Sequence, residues 1–264
     1  MPAPPIVELH GVSRTYDGGV RALAPLDLVV REREFLTLVG PSGCGKSTLL
    51  RLIAGLLLPT TGEIRRWGEN DPHAQPRRIG FVFQAPTLMP WANVARNVRL
   101  PLDLAHMPHA EAKAHVAQAL ELVGLADAKA RLPRELSGGM QMRAAIARAL
   151  VVRPSLLLMD EPFGALDEFT RQRLDGELLA LWSSQRFTVT FVTHSIHEAV
   201  FLSTRIVVMA AHPGRIVDAC DIDEPYPRDE SFRVSQAFAQ YAARVSASVA
   251  AAGTAAPAST EAVR

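Results

Sequence analysis

An eight-residue segment of the form Gly-x-x-x-x-Gly-Lys-Ser, residues 40–47, limits the possible folds of this chain more than any other feature. The apolar run Phe35–Val39 comes directly before it, and leucines at helical spacing follow between Lys46 and Gly55. Glycines let such a loop turn its backbone N–H groups inward, and the following helix directs its positive N-terminal end at the same point. The segment therefore predicts a phosphate-binding loop between a buried strand and a helix.

Two side chains of this loop have chemistry suited to a nucleoside triphosphate. Lys46 would reach the β- and γ-phosphates, and the Ser47 hydroxyl would ligate Mg²⁺. Cys44 occupies a free position of the pattern, and we interpret it as a small residue that fits the loop. A chance match in a chain of this length has odds on the order of one in a hundred, so we predict nucleotide binding.

A pair of carboxylates follows the apolar run at residues 156–159. Asp160 is predicted to hold Mg²⁺ through water, and Glu161 to polarise the attacking water. Taken alone, the pair is equally well explained as a solvated strand end. The phosphate loop upstream favours the metal-binding and catalytic interpretation.

A second anion-binding geometry is predicted where Ser137, Gly138 and Gly139 stand at the start of a helix. Two phosphate-gripping loops in one chain can act in two ways. Both can grip the same nucleotide, or each can serve half of a site shared between two copies. Sequence spacing alone leaves both arrangements open.

Strands alternate with helices along most of the chain, which is typical of an α/β fold. The predicted strands are 6–16, 26–30, 35–39, 79–84, 156–159, 187–192, 206–209 and 215–220, and the predicted helices are 46–55, 109–124, 139–153, 168–184 and 195–203. Residues 86–108 are predicted to be irregular or broken. Residues 245–264 are rich in Ala, Ser and Thr and are predicted to be a disordered tail.

Composition narrows the function classes. With 28 basic and 27 acidic residues the net charge is +1, which argues against a protein held to nucleic acid by a broad basic surface. Two cysteines cannot form a disulfide framework or a four-cysteine zinc site. We find no secretory leader and no apolar stretch of about 20 residues, so the sequence predicts an intracellular chain that another protein must hold at any membrane.

Seven segments of the chain resemble, in order, the motifs of the ATP-binding subunits of ATP-binding cassette (ABC) transporters. They are the A-loop aromatic Tyr16; the Walker A residues Gly40, Pro41, Ser42, Gly43, Cys44, Gly45, Lys46, Ser47 and Thr48; the Q-loop Gln84; the signature motif 136–141; the Walker B motif 156–161; the D-loop 165–167, which contains Asp167; and the switch residue His194. The match covers about residues 6–222.

The resemblance implies a fold and roles for these residues. The fold is a P-loop ABC ATPase core, with a mostly parallel sheet, an N-terminal antiparallel part and a helical subdomain at about 86–153, all within residues 1–244. Tyr16 would stack on adenine, and Gln84 would touch Mg²⁺ and sense the transport partner. Glu161 would be the catalytic glutamate, and His194 would contact the γ-phosphate.

The resemblance also implies an assembly. Two copies would dimerise head to tail, so that the signature of one completes the phosphate site of the other. Met140 departs from the family pattern, in which Gln is commoner at that position. Ser137, Gly138 and Gly139 fit the pattern, and we expect their contact with the γ-phosphate to survive.

Three stretches, 84–91, 159–167 and 209–216, resemble a narrower group, the ATPases of nitrate, sulfonate and taurine-type importers. This implies uptake of a small anion or related organic solute through separate membrane subunits, with a separate solute-binding protein. The chain would then lie peripherally at the cytoplasmic face of a bacterial inner membrane. The cargo itself is not predicted.

The apolar residues Leu88, Met89, Trp91 and Val94 follow the Q-loop. By analogy, residues 84–98 would form the groove for a short cytoplasmic helix of the permease; a local satellite core is the alternative. A second hypothesis is an ABC-type ATPase acting on nucleic acid or ribosomes, but the sequence lacks the coiled coil, zinc modules or second cassette usual there. A P-loop kinase or GTPase would leave Ser137 and His194 unexplained.

Overall fold

The computed structural model describes residues 3–67 and 79–254. Its strands are β1 (Pro5–Thr15), β2 (Arg21–Arg31), β3 (Phe35–Val39), β4 (Thr61–Arg66), β5 (Ile79–Val82), β6 (Leu156–Asp160), β7 (Thr188–Val192), β8 (Arg205–Ala210) and β9 (Arg215–Asp221). Its α-helices are α1 (Lys46–Ala54), α2 (Val94–Leu104), α3 (His109–Leu122), α4 (Gly138–Leu150), α5 (Glu168–Gln185), α6 (Ile196–Leu202), α7 (Glu230–Arg233) and α8 (Gln236–Thr254).

The larger sheet has six strands in the order β5-β6-β7-β3-β8-β9. All neighbours are parallel except β8 and β9, which form an antiparallel hairpin. Every residue of β3, β6 and β7 is buried, including Thr37, Thr188 and Thr190 among their apolar and β-branched residues. Because the carboxyl ends of parallel strands meet at one edge, the loops after β3, β5, β6 and β7 lie together there.

Alternate residues of β3 face two separate cores. Leu36 and Leu38 pack in the core shared with α1 and the small antiparallel sheet β2-β1-β4. Phe35 and Val39 pack in the core beneath the helices on the other face. There Phe35 meets the Trp182 ring edge-on at 5.7 Å between centroids. The predicted fold, a mostly parallel sheet with an N-terminal antiparallel part, is confirmed.

The turn of the β8–β9 hairpin fastens the small sheet to the phosphate loop. The Gly214 N–H donates to the Ala22 carbonyl at 3.0 Å, and the Ala24 N–H donates to the Gly214 carbonyl at 2.8 Å. A Cβ atom on Gly214 would overlap the Ala22 and Cys44 carbonyl oxygens. Glycine is therefore required for the two parts to approach this closely.

Helix α2 corrects the prediction that residues 86–108 are irregular throughout. The Asn93 side chain caps the helix by accepting the Arg96 N–H at 2.9 Å. Val94, Val98 and Leu102 are fully buried at a spacing of four. This apolar stripe stabilises the helix despite Pro101 in its interior. Between β5 and β6, the described residues form helices and loops with no strand.

Two further elements differ from the prediction. Strand β4, which the sequence analysis did not predict, is a polar edge strand that pairs with β1. Residues 245–254 were predicted to be disordered but form the second half of α8, in which Val245 and Ala252 are buried. The remainder of the predicted tail, 255–264, lies outside the described residues.

Within residues 3–67 and 79–254, no helix combines the length and the apolar character needed to span a membrane.

Candidate nucleotide-binding site

The phosphate loop holds its lysine in a defined position. Lys46 is buried, and its ammonium donates to the carbonyls of Gly40 at 2.8 Å and Pro41 at 3.1 Å. Cys44 is also buried, with its sulfur 3.7 Å from the Lys46 nitrogen. Burial raises the pKa of the Cys44 thiol, so the thiol stays neutral and fills space in the loop.

The N-terminus of α1 is open towards the loop. Gly45 precedes α1 with φ of 91°, and no side chain caps the helix. A Cβ atom at Gly45 would lie 2.5 Å from Leu23, so both the conformation and the space require glycine. The first N–H groups of α1 are thus left to an anion.

The two predicted Mg²⁺ ligands are in contact. The Ser47 hydroxyl donates to Asp160 at 2.8 Å, joining the start of α1 to the end of β6. Burial raises the pKa of Asp160, and the hydrogen bond from Ser47 opposes that rise. A hydroxyl and a carboxylate beside a phosphate loop are the oxygen donors that Mg²⁺ prefers.

The two predicted catalytic residues are also neighbours. Glu161 and His194 follow the adjacent parallel strands β6 and β7, and Glu161 Oε2 lies 3.3 Å from His194 Nδ1. Glu161 has φ of 44°, a left-handed conformation that non-glycine residues seldom adopt. Such conformations concentrate at functional sites.

A cavity of about 380 Å³ extends from the phosphate loop to the N-terminal sheet. It is lined by Tyr16, Val20, Arg21, Ala22, Ser42, Gly43, Gly45, Lys46, Ser47, Thr48, Glu161, His212 and Gly214. The Tyr16 hydroxyl lies 3.2 Å from that of Thr48, and the Arg14 guanidinium lies over the Tyr16 ring at 4.9 Å. The predicted base-stacking residue and the predicted phosphate-binding residues therefore share one cavity.

Two cavity residues, Arg21 and His212, were missed by the sequence analysis. Arg21 begins β2, and His212 lies in the β8–β9 turn. Their place beside the phosphate loop depends on the fastening of that turn to β2 at Gly214. No local sequence pattern indicates such a contact between distant segments.

The predicted residue Gln84 reaches the same edge of the sheet by topology alone. It follows β5, whose Val82 pairs with Met159 of β6. Its side chain is exposed and does not line the cavity. The structure thus places Gln84 near the site without a contact to Ser47 or Asp160.

The predicted signature motif lies apart from this cavity, and residues 136–141 do not line it. Ser137 caps α4 by accepting the Met140 N–H at 3.3 Å. Gly139 packs closely on Thr170 of α5, where a Cβ atom would come within 3.1 Å. Met140 packs against the core beneath the helices, which gives the unusual residue a structural role.

The D-loop residue Asp167 caps α5. Its carboxylate accepts the Thr170 N–H at 3.0 Å, and hydrogen bonds to Thr170 lower the pKa of Asp167. Thr170 thus contacts both Asp167 of the D-loop and Gly139 of α4. Glu161 lies six residues before Asp167 in the chain.

The segment after Gln84 is held in shape by two residues that the sequence analysis missed. Arg148 donates to the carbonyls of Pro86 and Thr87, each at 2.8 Å. Asn97 is fully buried and bonds to both the N–H and the carbonyl of Met89. In the sequence, the only signal for Asn97 is a polar residue beside the apolar Val94 and Val98, and it can be recognised only once α2 is known to be a helix.

An open cavity of about 610 Å³ lies between β5, α2 and α4. Phe83, Leu100, Pro101 and Leu104 contribute apolar lining, and Trp91 is 77% exposed nearby in the sequence. Val94 and Val98, which the sequence analysis included in a docking groove, are buried in the core. That part of the prediction is wrong, because both residues face inward from α2.

Comparison with known proteins gives consistent matches. The ABC transporter family profile matches residues 23–164. An uncharacterized ABC transporter ATP-binding protein of Methanocaldococcus jannaschii is 48% identical over 86% of this chain and 83% of that protein. The aliphatic sulfonates import ATP-binding protein SsuB of Bacillus thuringiensis is 42% identical over 90% of this chain and 94% of that protein.

A solved structure shares the fold. The ATP-binding cassette MJ0796, in a dimeric post-hydrolysis state bound to ADP and phosphate, superposes with a TM-score of 0.71 and 33% identity. The alignment covers 83% of this chain and all of that one. The similarity of fold therefore extends over most of the chain, and the family profile spans the phosphate loop.

Proposed function

Because the chain belongs to the ABC transporter family and is one of its ATP-hydrolysing subunits, we propose that it energises import of a small solute through separate membrane subunits. One observation carries the assignment of the site. Glu161 and His194, 3.3 Å apart, stand at adjacent strand ends beside the loop that holds Lys46 and Ser47. The proposed general base and the proposed γ-phosphate contact thus lie beside the loop that would bind the triphosphate.

ATP binding begins with the phosphate loop. The N–H groups at the start of α1 receive the phosphates, and the triphosphate replaces the carbonyls of Gly40 and Pro41 as partners of Lys46. The Tyr16 ring holds the adenine end of the nucleotide, and the Thr48 hydroxyl contacts the Tyr16 hydroxyl beside it. Charge-assisted hydrogen bonds of this kind contribute about 1.5–3 kcal/mol each.

Ser47 and Asp160 are the residues that would hold Mg²⁺, with Gln84 approaching from the neighbouring strand. The Ser47–Asp160 contact supports this, since it places two oxygen donors within 2.8 Å of each other. When bound, Mg²⁺ supplies charge neutralisation to the phosphates.

Hydrolysis uses the strained residue at the end of β6. Glu161 orients a water and accepts its proton as the water oxygen bonds to the γ-phosphorus. The bond to the β–γ bridging oxygen then breaks, leaving ADP and phosphate. His194, beside Glu161, contacts the γ-phosphate. General base assistance typically contributes about 10²- to 10⁴-fold in rate.

The second half of each site comes from another copy of the chain. Within one copy, residues 136–141 stay outside the cavity, while Ser137 and Gly138 are exposed. A head-to-tail dimer brings these groups to the γ-phosphate of the partner's nucleotide. Closure on ATP and opening after hydrolysis drive the membrane subunits.

The permease surface combines Trp91 with the open cavity lined by Phe83, Leu100 and Leu104. Phe83, Trp91 and Leu104 are exposed and apolar, and Phe83 directly precedes Gln84, as an interface for a short membrane-subunit helix requires. Arg148 and Asn97 hold it in a fixed shape before binding. Such a partner would keep the chain at the cytoplasmic face of the cell membrane.

The transported solute is proposed only as a class. The 42% identical relative is named for import of aliphatic sulfonates, which favours a small organic or inorganic anion. A separate solute-binding protein would select the cargo.

The function is tested with purified full-length chain and with the variant Glu161→Gln. Wild-type protein should release phosphate from ATP, and Glu161→Gln should bind ATP with similar affinity while turnover falls about 10²- to 10⁴-fold. The measurements are steady-state phosphate release and equilibrium binding of a fluorescent ATP analogue. Wild-type turnover in Glu161→Gln would remove Glu161 from the role of base.

A further inference from the structure

Helix α6 begins directly after the loop that carries His194, and its first turn is tied to that loop. Ser195 caps α6 by accepting the Glu198 N–H at 3.3 Å. The Thr193 hydroxyl accepts the Ser195 N–H at 2.9 Å and donates to the Glu198 carboxylate. Both residues that flank His194 are therefore bound to α6.

The same carboxylate reaches the D-loop. Glu198 is buried, and its second oxygen lies 3.8 Å from the guanidinium of Arg171 in α5. Arg171 in turn donates to the carbonyl of Leu166 at 3.0 Å, one residue before Asp167. The first turn of α6 thus connects the switch loop with the D-loop.

The opposite end of α6 is held by the chain that follows β9. Arg228 is 6% exposed, and its guanidinium donates to the carbonyls of Val200, Phe201 and Ser203 at 2.9–3.1 Å. It also donates to the carbonyls of Ile222 and Glu224. A cation at a helix C-terminus satisfies carbonyls that the helix itself leaves free.

A second arginine of this segment binds both α5 and α6. The Arg233 guanidinium lies 3.5 Å from the centre of the Phe201 ring. It also donates to Asp175 at 3.1 Å, and Asp175 is 1% exposed. We call residues 226–233, with Arg228 and Arg233, the C-terminal clamp.

We infer that the C-terminal clamp is a positioning element for His194, acting through α6. The inference rests on the proposed contact of His194 with the γ-phosphate. Helix α6 has only seven residues, so a shift at Phe201 moves Thr193 and Ser195 with it. His194, between them, is brought to Glu161 only when both ends of α6 are held.

The charges of the clamp fit positioning better than stabilisation alone. Burying a polar Arg–Asp pair such as Arg233–Asp175 has a large desolvation cost, and apolar residues of similar size often stabilise a fold as well or better. Directional hydrogen bonds instead fix one arrangement of the three segments. Arg228 makes five of them to backbone carbonyls, which hold α6 at one height and orientation.

The test is a double-mutant cycle on full-length protein. Asp175→Asn with Arg233→Gln changes both members of the pair, so that neither Asp175 nor Arg233 is left buried without its partner. We expect kcat for ATP to fall about 5- to 10-fold while KM changes less than about twofold, which corresponds to 1.0–1.4 kcal/mol on the barrier. In a His194→Ala background, the same pair of changes should alter kcat by less than about twofold.

A matched control is the ion pair Arg205–Glu34, which is 2.7 Å apart at the opposite end of β3 and β8, with side chains that are 18% and 10% exposed. Arg205→Gln with Glu34→Gln should lower the thermal midpoint but leave kcat unchanged. If the Asp175/Arg233 variant does not fold, Arg233→Lys enters the same cycle, since it keeps a cation beside Asp175 and loses the planar group over Phe201.

Two outcomes overturn the inference. One is an unchanged kcat in the folded clamp variant. The other is an equal loss of kcat with and without His194, because the clamp would then act independently of that residue. Failure of the proposed role of His194 gives a different result. His194→Ala would then keep wild-type turnover, and the inference would be overturned together with that role.

Discussion

Glu161 is a residue whose backbone conformation is unfavourable by itself. A non-glycine residue in the left-handed region costs of order 1–3 kcal/mol and persists only where the surroundings determine it. Here the Glu161 N–H donates to the Val192 carbonyl at 2.9 Å, and the Glu161 carbonyl accepts the Gly164 N–H at 3.2 Å. These two bonds hold the carboxylate at the end of β6 and aim it at His194.

The ring and the hydroxyl of Tyr16 can be separated experimentally. Tyr16→Ala removes a stacking surface, which is typically worth about 1–3 kcal/mol per base, so we expect ATP affinity to fall about tenfold. Tyr16→Phe loses only the contact with Thr48 and should stay within about twofold. Equilibrium titration with a fluorescent ATP analogue checks both, and an equal loss in the two variants would contradict stacking.

The buried carboxyl of Asp175 gives the fold a pH dependence. Burial, with a contribution from Glu198, raises the pKa of Asp175 to about 8 against the opposing effect of Arg233. The unfolded chain ionises this group near pH 4, so its contribution to stability is complete below about pH 4 and declines as pH rises towards 8. Each pH unit in that interval costs up to about 1.4 kcal/mol.

Asp175→Asn should remove this decline. We expect the variant to gain in unfolding free energy over wild type from pH 5 to pH 8, as measured by urea denaturation at both values. A difference between the two proteins that is the same at pH 5 and pH 8 would show that Asp175 does not titrate between them.

Residues that belong to a sequence motif could be predicted, and residues outside any motif whose partners lie far along the chain could not. The predicted roles of Lys46 and Ser47 come from one loop and the helix after it. Arg148 bonds to Pro86 and Thr87 across some sixty residues of chain, and Arg233 bonds to Asp175 across a similar span. Only the folded sheet brings these segments together.

At the scale of elements, packing decides where propensity misleads. Pro101 argues against a helix at α2, but three fully buried side chains at a spacing of four outweigh it. Helix α8 was missed for a related reason. Its alanines present little apolar area, yet they allow close packing, and Val245 and Ala252 are buried.

The segment after Gln84 combines an exposed apolar tip with a rigid base. Trp91 is 77% exposed, while Asn97 and Arg148 fix the backbone on either side of it. Trp91→Glu should therefore leave folding and ATP affinity unchanged and weaken association with the permease at least about tenfold, as for a buried aromatic anchor. Co-purification with co-expressed membrane subunits measures this effect.

Leu58→Glu is the matched control for Trp91, because Leu58 is 76% exposed and lies beyond α1, away from the cavity between β5, α2 and α4. It should co-purify with the permease as wild type does. If Trp91→Glu lost ATP binding, the aromatic ring would be part of the nucleotide site rather than a docking surface.

At the scale of the whole molecule, the phosphate-loop cavity and the predicted signature motif do not meet within one chain. Glu161 lines the cavity, while Ser137 sits at the start of α4, and that helix packs on α5 through Gly139. By sequence spacing alone, both loops could bind one nucleotide or each could serve half of a shared site. The separation of Ser137 from the cavity favours a site completed by a second copy.

Crosslinking of two differently marked copies tests this arrangement. Chains carrying Ser42→Cys are mixed with chains carrying Ser137→Cys, both with Glu161→Gln to retain ATP. Ser42 lines the cavity and is exposed, whereas the native Cys44 and Cys220 are buried. A short thiol-reactive linker should then join the two kinds of chain in the presence of ATP and Mg²⁺ and not with ADP.

The control moves the second cysteine from the signature motif to a distant exposed position. Val234→Cys, 86% exposed at the end of α7, replaces Ser137→Cys in a parallel mixture and should give no ATP-dependent product, because it lies far from the phosphate loop along the fold. If the Ser42 and Ser137 cysteines never react across chains while ATP is bound, the signature motif does not complete the partner's site. ATP hydrolysis would then have to be explained within a single copy, where Ser137 has no path to the γ-phosphate without a movement of α4.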